Sequence, residues 1–319
     1  MGAVSRVRLL LLLAHCLPLD LAGNVSSTEH HEGVVLLSMH RSGSSLLAGL
    51  LTRMGLHVGS SEETVGGNRR NKYGYFERWD VIRQNNLLLG LQGLQWNNGT
   101  AEYDPEVGVK ATSTESLFVN GRSAMAFFNH PDHQPFVMKD PRLCITLRTW
   151  IPLFGSRPAV VFSFRHPLDV ALSLHRRNRL PVVAGLRLWY VYNRRAVQQS
   201  QDLCRVVSSN RLLLMEPTVE VDRIYRELRE GCGVDVPRAL PVEEVRAFVD
   251  LEEQHGRAGL AEGICPSEVP GAPSDWPEAR PEELEVLRVA LEAYCAMEGG
   301  AAFDRFYEWN ENVSDSSSQ

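Results

Sequence analysis

The segment from Gly33 to Gly55 constrains the fold more than any other part of the chain. Gly33–Ser38 (GVVLLS) is a continuous apolar run of strand length, and Met39–Ser45 (MHRSGSS) is a loop of small and polar residues. Leu46, Leu47, Leu50, Leu51 and Met54 then recur at helical spacing up to Gly55. Strand, Gly/Ser loop and helix in that order open a nucleotide-binding α/β unit. The unpaired N–H groups at the helix start and the positive end of its dipole face whatever occupies the loop. An ordinary tight strand-to-helix turn has the same outline, so the pattern alone leaves the ligand open.

The loop lacks what a Walker loop needs. No glycine opens it, and no lysine precedes the serines. Arg41 is its only cation, two residues before Gly43, while Ser42, Ser44 and Ser45 supply hydroxyls and Gly43 permits close approach. A P-loop kinase or NTPase working on a metal-bound nucleotide is therefore disfavoured.

Downstream, apolar runs at Phe136–Lys139, Pro158–Phe164 and Arg211–Met215 read as strands. Helical patterns are expected at Val81–Leu91, Ser116–Phe128, Leu168–Arg177, Leu186–Arg205, Val219–Arg229 and Pro281–Met297. Gly59–Lys72, Asn97–Ser113 and Gly256–Trp276 read as loops. Strands alternating with helices predict an α/β fold with a parallel sheet covered on both faces. One domain over about residues 32–310 accounts for the length, with a polar, disordered tail at 311–319.

The net charge of −6 gives no reason to expect a nucleic-acid partner. Its distribution is uneven. From Lys139 to Arg195 there are 11 Lys and Arg against 2 Asp and Glu, whereas from Glu216 onward there are 9 against 24. A basic middle in an acidic chain suits an anionic ligand, and solvated arginines on helix faces account for it equally well. Lysine is scarce. Only Lys72, Lys110 and Lys139 occur, so chemistry needing an ammonium has three candidates.

His40–Ser45 (HRSGSS) resembles the 5′-phosphosulfate loop of the sulfotransferase superfamily, in the Arg-type form found in carbohydrate and protein-tyrosine sulfotransferases. A second motif strengthens the resemblance. After the strand ending at Phe164 comes Arg165–Ser173 (RHPLDVALS), similar to the family's 3′-phosphate pair of Arg and Ser. Eight residues span just over two helical turns, so a helix folding back from the strand end can bring both side chains to one anion. Asn71–Glu77, Lys139–Arg142 (KDPR) and Leu188–Asn193 resemble a bacterial branch of the family, also seen in some algae. The resemblance spans roughly residues 33–216. It implies a P-loop NTPase-like α/β fold and transfer of a sulfuryl group from 3′-phosphoadenosine 5′-phosphosulfate to an acceptor hydroxyl. A glycan is the favoured acceptor, ahead of peptide tyrosine, lipid or small metabolite.

On that resemblance Arg41 and the Ser42–Ser45 loop, Gly43 included, hold the 5′ side of the donor, and Arg165 and Ser173 hold its 3′-phosphate. Lys139 stabilises the leaving oxygen; a purely structural pairing with Asp140 is the other reading. Glu77, flanked by Tyr75, Phe76 and Trp79, is the candidate general base, and capping of the following helix is its alternative role. Asp80 and His57 are weaker bases, and His40 beside the loop reads as structural. Trp189 and Tyr192 read as core, ahead of the alternative that they flank the nucleotide. A sulfuryl group carries less charge than a phosphoryl group, so no metal is expected to be required. The rival to an enzyme is a catalytically inactive protein of the same fold that binds nucleotide or a sulfated glycan.

The N-terminus reads as a signal peptide or leader over residues 1–23. Arg6 and Arg8 precede Leu9–Leu13, with Ala22 and Gly23 as a cleavage region. That run is too short for a comfortable membrane span, so membrane association is expected to be peripheral at most. With sequons at Asn24, Asn98 and Asn312, a glycoprotein of the secretory pathway, in the Golgi lumen, is expected; cytosol or plastid is the alternative. None of the six cysteines has zinc-like spacing, and Cys232 can pair with Cys265 or Cys295 or stay free. Oligomeric state is not encoded in any pattern found.

Overall fold

The computed structural model describes residues 31–68, 71, 74–252, 265 and 276–313. The expected leader over 1–23, the sequon at Asn24, nearly all of the 256–276 loop and residues 314–319 lie outside them.

β1 (Gly33–Leu37) leads through the Gly/Ser loop into α1 (Ser44–Arg53), and a polar strap then reaches α2 (Trp79–Gly90). α3 (Pro105–Thr112) and α4 (Val119–Phe128) precede β2 (Phe136–Lys139) and α5 (Leu143–Trp150). β3 (Ala159–Phe164), α6 (Pro167–Asn178), α7 (Val182–Gln199), β4 (Arg205–Ser209), α8 (Asn210–Met215) and α9 (Pro217–Arg226) follow, then α10 (Val242–Glu252) and α11 (Pro281–Glu298).

The four strands form one parallel sheet in the order β2-β1-β3-β4. β1 is fully buried, and its residues alternate between two apolar layers. Val34 and Leu36 face the layer of α1, α9 and α10, beside Leu50, Ile224 and Phe248. Val35 and Leu37 face the layer built from α2, α5, α7 and α11, beside Leu88, Trp150, Trp189 and Tyr294. A strand covered on both faces has no polar side to show, which is why GVVLL reads as a continuous apolar run. The fold is thus α/β, with a parallel sheet covered by helices on both faces. α7 lies close against α6 because Gly185 has no side chain; a Cβ there would stand 2.9 Å from Ala171 Cα. That contact sets the position of the α6 face carrying Ser173.

Several elements differ from expectation. The last strand is Arg205–Ser209, and the Arg211–Met215 run is helical. Ser209 Oγ accepts from the Leu212 amide at 3.2 Å, capping a helix that starts as soon as the strand ends. Only Leu213 of this run is fully buried, and Met215 is exposed, as on a one-sided helix. α7 accordingly ends at Gln199 rather than at Arg205. The stretch 97–113, read as loop, holds α3, started by the Asp104 cap on the Glu106 amide and by Pro105. α5 and α10 had no expectation at all.

The packed chain runs to Val313, which is buried, and Glu311 pairs with Arg194 at 2.6 Å. Cys232 is bonded to Cys204, not to the expected partners, and Cys265 is bonded to Cys295. Cys144 is buried and free, and burial pushes its thiol up. Among the described residues no helix is long and apolar enough to cross a membrane.

Candidate functional site

In a parallel sheet ordered 2-1-3-4, the chain leaves β1 toward one side and β3 toward the other. The crevice beyond the carboxyl ends of β1 and β3 is a topological switch point, where α/β sheets bind ligands. The motif residues collect there because each follows a strand end. His40–Ser45 follow β1, Lys139 closes β2, Arg165 follows β3 and Asn210 follows β4.

Two loop residues are left-handed, Arg41 at φ 68° and Gly43 at φ 84°. For Arg41 this conformation costs roughly 1–2 kcal/mol, a local strain of the kind found where a side chain must be aimed. Gly43 is the N-cap of α1 and has no side chain to fill the cap. A Cβ on it would stand 2.2 Å from Asn210 Nδ2, so the position requires glycine for conformation and for space. The Gly43 carbonyl accepts from the amides of Leu46 and Leu47, and Ser44 and Ser45 occupy the first turn, where amides face outward.

Three buried polar atoms at the end of β1 have no hydrogen-bond partner among the described residues: Ser38 Oγ, His40 Nε2 and Ser42 Oγ. Orphaned groups in a cluster mark a place built for something else. Together with a helix N-terminus and several cations, the two hydroxyls fit an anionic group in this loop.

Lys139 is almost completely buried. Its ammonium donates to Glu77 Oε1 at 2.5 Å, to the Tyr75 carbonyl at 2.9 Å and to Ser45 Oγ at 3.4 Å. It thereby ties the strap before α2 to the anion loop. The pairing with Asp140 does not occur: Asp140, fully buried, takes Arg142 at 3.0 Å and accepts from its backbone amide at 2.7 Å. Glu77 does not cap α2 either; Arg78 is the N-cap there. The aromatic setting expected around Glu77 is in part open, since Trp79 is exposed. What Glu77 mainly meets is an ammonium.

Arg165 and Ser173 do not share a partner. The Arg165 guanidinium turns to Asp169, one helical turn on, at 3.1 Å, and its carbonyl accepts from Trp189 Nε1. Ser173 Oγ accepts from Arg41 Nε at 2.9 Å. This bond joins the loop after β1 to the helix after β3, directly across the switch point.

His40 packs on Trp96, with ring centroids 4.7 Å apart, and on Tyr192 at 5.8 Å. Burial, and then the charges of Arg142, Lys139, Arg177 and Arg41, hold its imidazole well below the usual histidine range, so it is neutral. Trp189 and Tyr192 are core residues, as read from the sequence.

The weaker base candidates are placed elsewhere. Asp80 pairs with Arg78 at 2.8 Å, and exposed His57 lies by the start of β2, facing His133. Asn210, Trp96 and Arg142 line the site without having been picked out singly. Asn210 falls between the expected helix ending at Arg205 and the expected strand starting at Arg211, and Arg142 is legible only as part of the KDPR run.

No family model matches the chain, and no curated protein matches it. Among solved structures it is similar to the sulfotransferase domain from the Synechococcus PCC 7002 olefin synthase. Identity is 18%, over 67% of this chain and 77% of that one, with a TM-score of 0.37. At that distance the likeness says nothing of activity, and the chemistry of the site rests on its own side chains.

Proposed function

We propose that the chain is a sulfotransferase that moves a sulfuryl group from 3′-phosphoadenosine 5′-phosphosulfate to a hydroxyl of an acceptor, with a glycan as the favoured class. The observation that carries this reading is the convergence of Arg41, Lys139 and the Ser42–Ser45 loop at the switch point, with orphaned Ser42 Oγ beside them. It supports an anion held by backbone amides, one arginine and one lysine, without the Walker lysine that phosphoryl-transfer loops carry.

In this scheme the loop amides and Arg41 hold the phosphosulfate, and Ser173 fixes the direction of Arg41. Lys139 is within reach of the loop through Ser45, and its ammonium stabilises charge developing on the oxygen that sulfur leaves. Arg165 is the cation for the 3′-phosphate, exchanging Asp169 for it. Glu77 holds Lys139 in place; for its carboxylate to act as a base the ion pair must open. The two disulfides suit an oxidising compartment, which supports a lumenal address.

Incubation with donor labelled in its sulfuryl group tests the activity. Label should pass to neutral polysaccharides or another hydroxyl acceptor in an array and be lost in Lys139→Ala. Binding of the desulfated nucleotide with no transfer to any acceptor or to water would favour an inactive binding protein instead.

A further inference from the structure

One titratable side chain at the loop has no task in that scheme. His40 stands between the end of β1 and Arg41, wedged against Trp96 and Tyr192, with a buried Nε2 that meets no partner among the described residues. An unmade hydrogen bond at a buried nitrogen is destabilising, and its persistence asks for a reason.

The surroundings narrow the reason. The charged groups that face the ring are Arg41 from its own loop, Lys139 and Arg142 from the end of β2 and the turn beyond it, and Arg177 from α6. The two nearby carboxylates are engaged, Glu77 with Lys139 and Asp140 with Arg142. The phenol of Tyr192 donates to the Trp96 carbonyl at 2.6 Å, so its proton is not given to the imidazole. Burial, and then the four cations, disfavour a protonated imidazole, and a neutral one keeps a lone pair. Trp96 also lines a groove of ≈ 410 Å³ with Asn86, Leu89, Leu94 and Gln95, so the ring lies one side chain away from open space.

We propose that His40, and not Glu77, takes the proton of the acceptor hydroxyl. The proposal rests on the sulfotransferase reading. The hydroxyl oxygen bonds to sulfur while the bond from sulfur to the 5′-phosphate oxygen breaks. That electron pair leaves on the phosphate oxygen beside Lys139 and Arg41, and the hydroxyl proton passes to His40 Nε2. In the empty site burial, and then the positive field, makes the imidazole a weak base. The phosphates of the bound nucleotide offset that field and bring the imidazole toward the working range, so nucleotide binding and the basicity of His40 are coupled.

Calorimetry with 3′-phosphoadenosine 5′-phosphate at about pH 6.5, in two buffers of different ionisation enthalpy, measures this coupling in the full chain. Wild type is expected to take up a sizeable fraction of a proton on binding, and so is Glu77→Gln. His40→Asn is expected to bind within about threefold of wild type with no uptake, and to lose about 100-fold in sulfuryl transfer from the donor to water. Should His40→Asn fold poorly, histidine NMR on wild type follows the same event, and the His40 signal must shift toward the protonated form on binding. Binding without proton uptake or without that shift, or a His40→Asn variant with undiminished transfer, overturns the assignment to His40. A wild-type protein that does not bind the nucleotide at all overturns the donor reading, and the proposal with it.

Discussion

Lys139 Nζ lies 2.5 Å from Glu77 Oε1, and this buried ion pair joins the end of β2 to the strap entering α2. Breaking one partner of such a pair leaves an uncompensated charge in a dry site. Lys139→Met or Glu77→Gln should each cost about 3–5 kcal/mol in urea unfolding, and the double variant much less than the sum. Additive losses would mean the two side chains act independently.

Arg41 and Ser173 are coupled by one hydrogen bond across the switch point. Ser173→Ala removes the acceptor that aims the guanidinium, so nucleotide affinity should fall by roughly 5- to 10-fold with little change in stability, as the loss of about 1 kcal/mol implies. Ser173→Thr, which keeps the hydroxyl, should restore most of the affinity. Isothermal titration of the three proteins decides it.

Gly43→Ala meets two obstacles, a φ of 84° and the Asn210 amide 2.2 Å from the new Cβ. The conformation alone costs about 1–2 kcal/mol. Adding Asn210→Ala should recover the steric part of the loss in the unfolding midpoint and leave the conformational part. Full recovery would show that backbone strain is not part of the cost.

The Cys204–Cys232 bond closes a loop with a separation of 28 residues. Loop-closure entropy assigns it about 3–4 kcal/mol, so replacing both cysteines by serine should lower stability in guanidinium by about that amount. A change under about 1 kcal/mol would mean the bond adds little in the native chain.

Asp202 accepts from Arg148 and from Arg157, the latter at 2.9 Å, and these bonds, the one from Arg148 first, pull its carboxyl down to about 2. A carboxyl whose pKa is depressed by folding stabilises above its unfolded value near 3.8 and loses that contribution as pH falls toward 2. The melting temperature should therefore drop between about pH 4 and pH 2 more steeply in wild type than in Asp202→Asn. Because the group is half exposed, the difference is expected to be small.

The sequence shows the site better at its strand ends than at its side-chain pairings. GVVLL and PAVVFSF are legible as strands because a strand buried on both faces is continuously apolar, and MHRSGSS is legible because only a few residue types suit a helix N-terminus that approaches an anion. RLLLM is the opposite case: five residues of apolar run cannot separate strand from half-buried helix, and the deciding feature is Ser209 capping Leu212. The Asp104-Pro105 start of α3 was a readable signal, outweighed by the polar residues around it. Pairings lie beyond reach of spacing. Arg165 and Ser173 sit on one helix and its lead-in, yet Ser173 belongs to Arg41, 132 residues earlier, and Glu77 belongs to Lys139, 62 residues later. Such partners are fixed by the sheet order 2-1-3-4, which no local pattern encodes.

The central claim is the identity of the donor, and thermal denaturation with 3′-phosphoadenosine 5′-phosphate against ADP and ATP, without added metal, tests it most directly. A ligand that binds only the native state stabilises it by about 2.7 kcal/mol at 100 times its dissociation constant. The 3′-phosphorylated nucleotide should raise the melting temperature, ADP and ATP should not, and the rise should shrink in Arg165→Ala. Stabilisation by magnesium and ATP alone, or no shift with any of the three, would contradict the account.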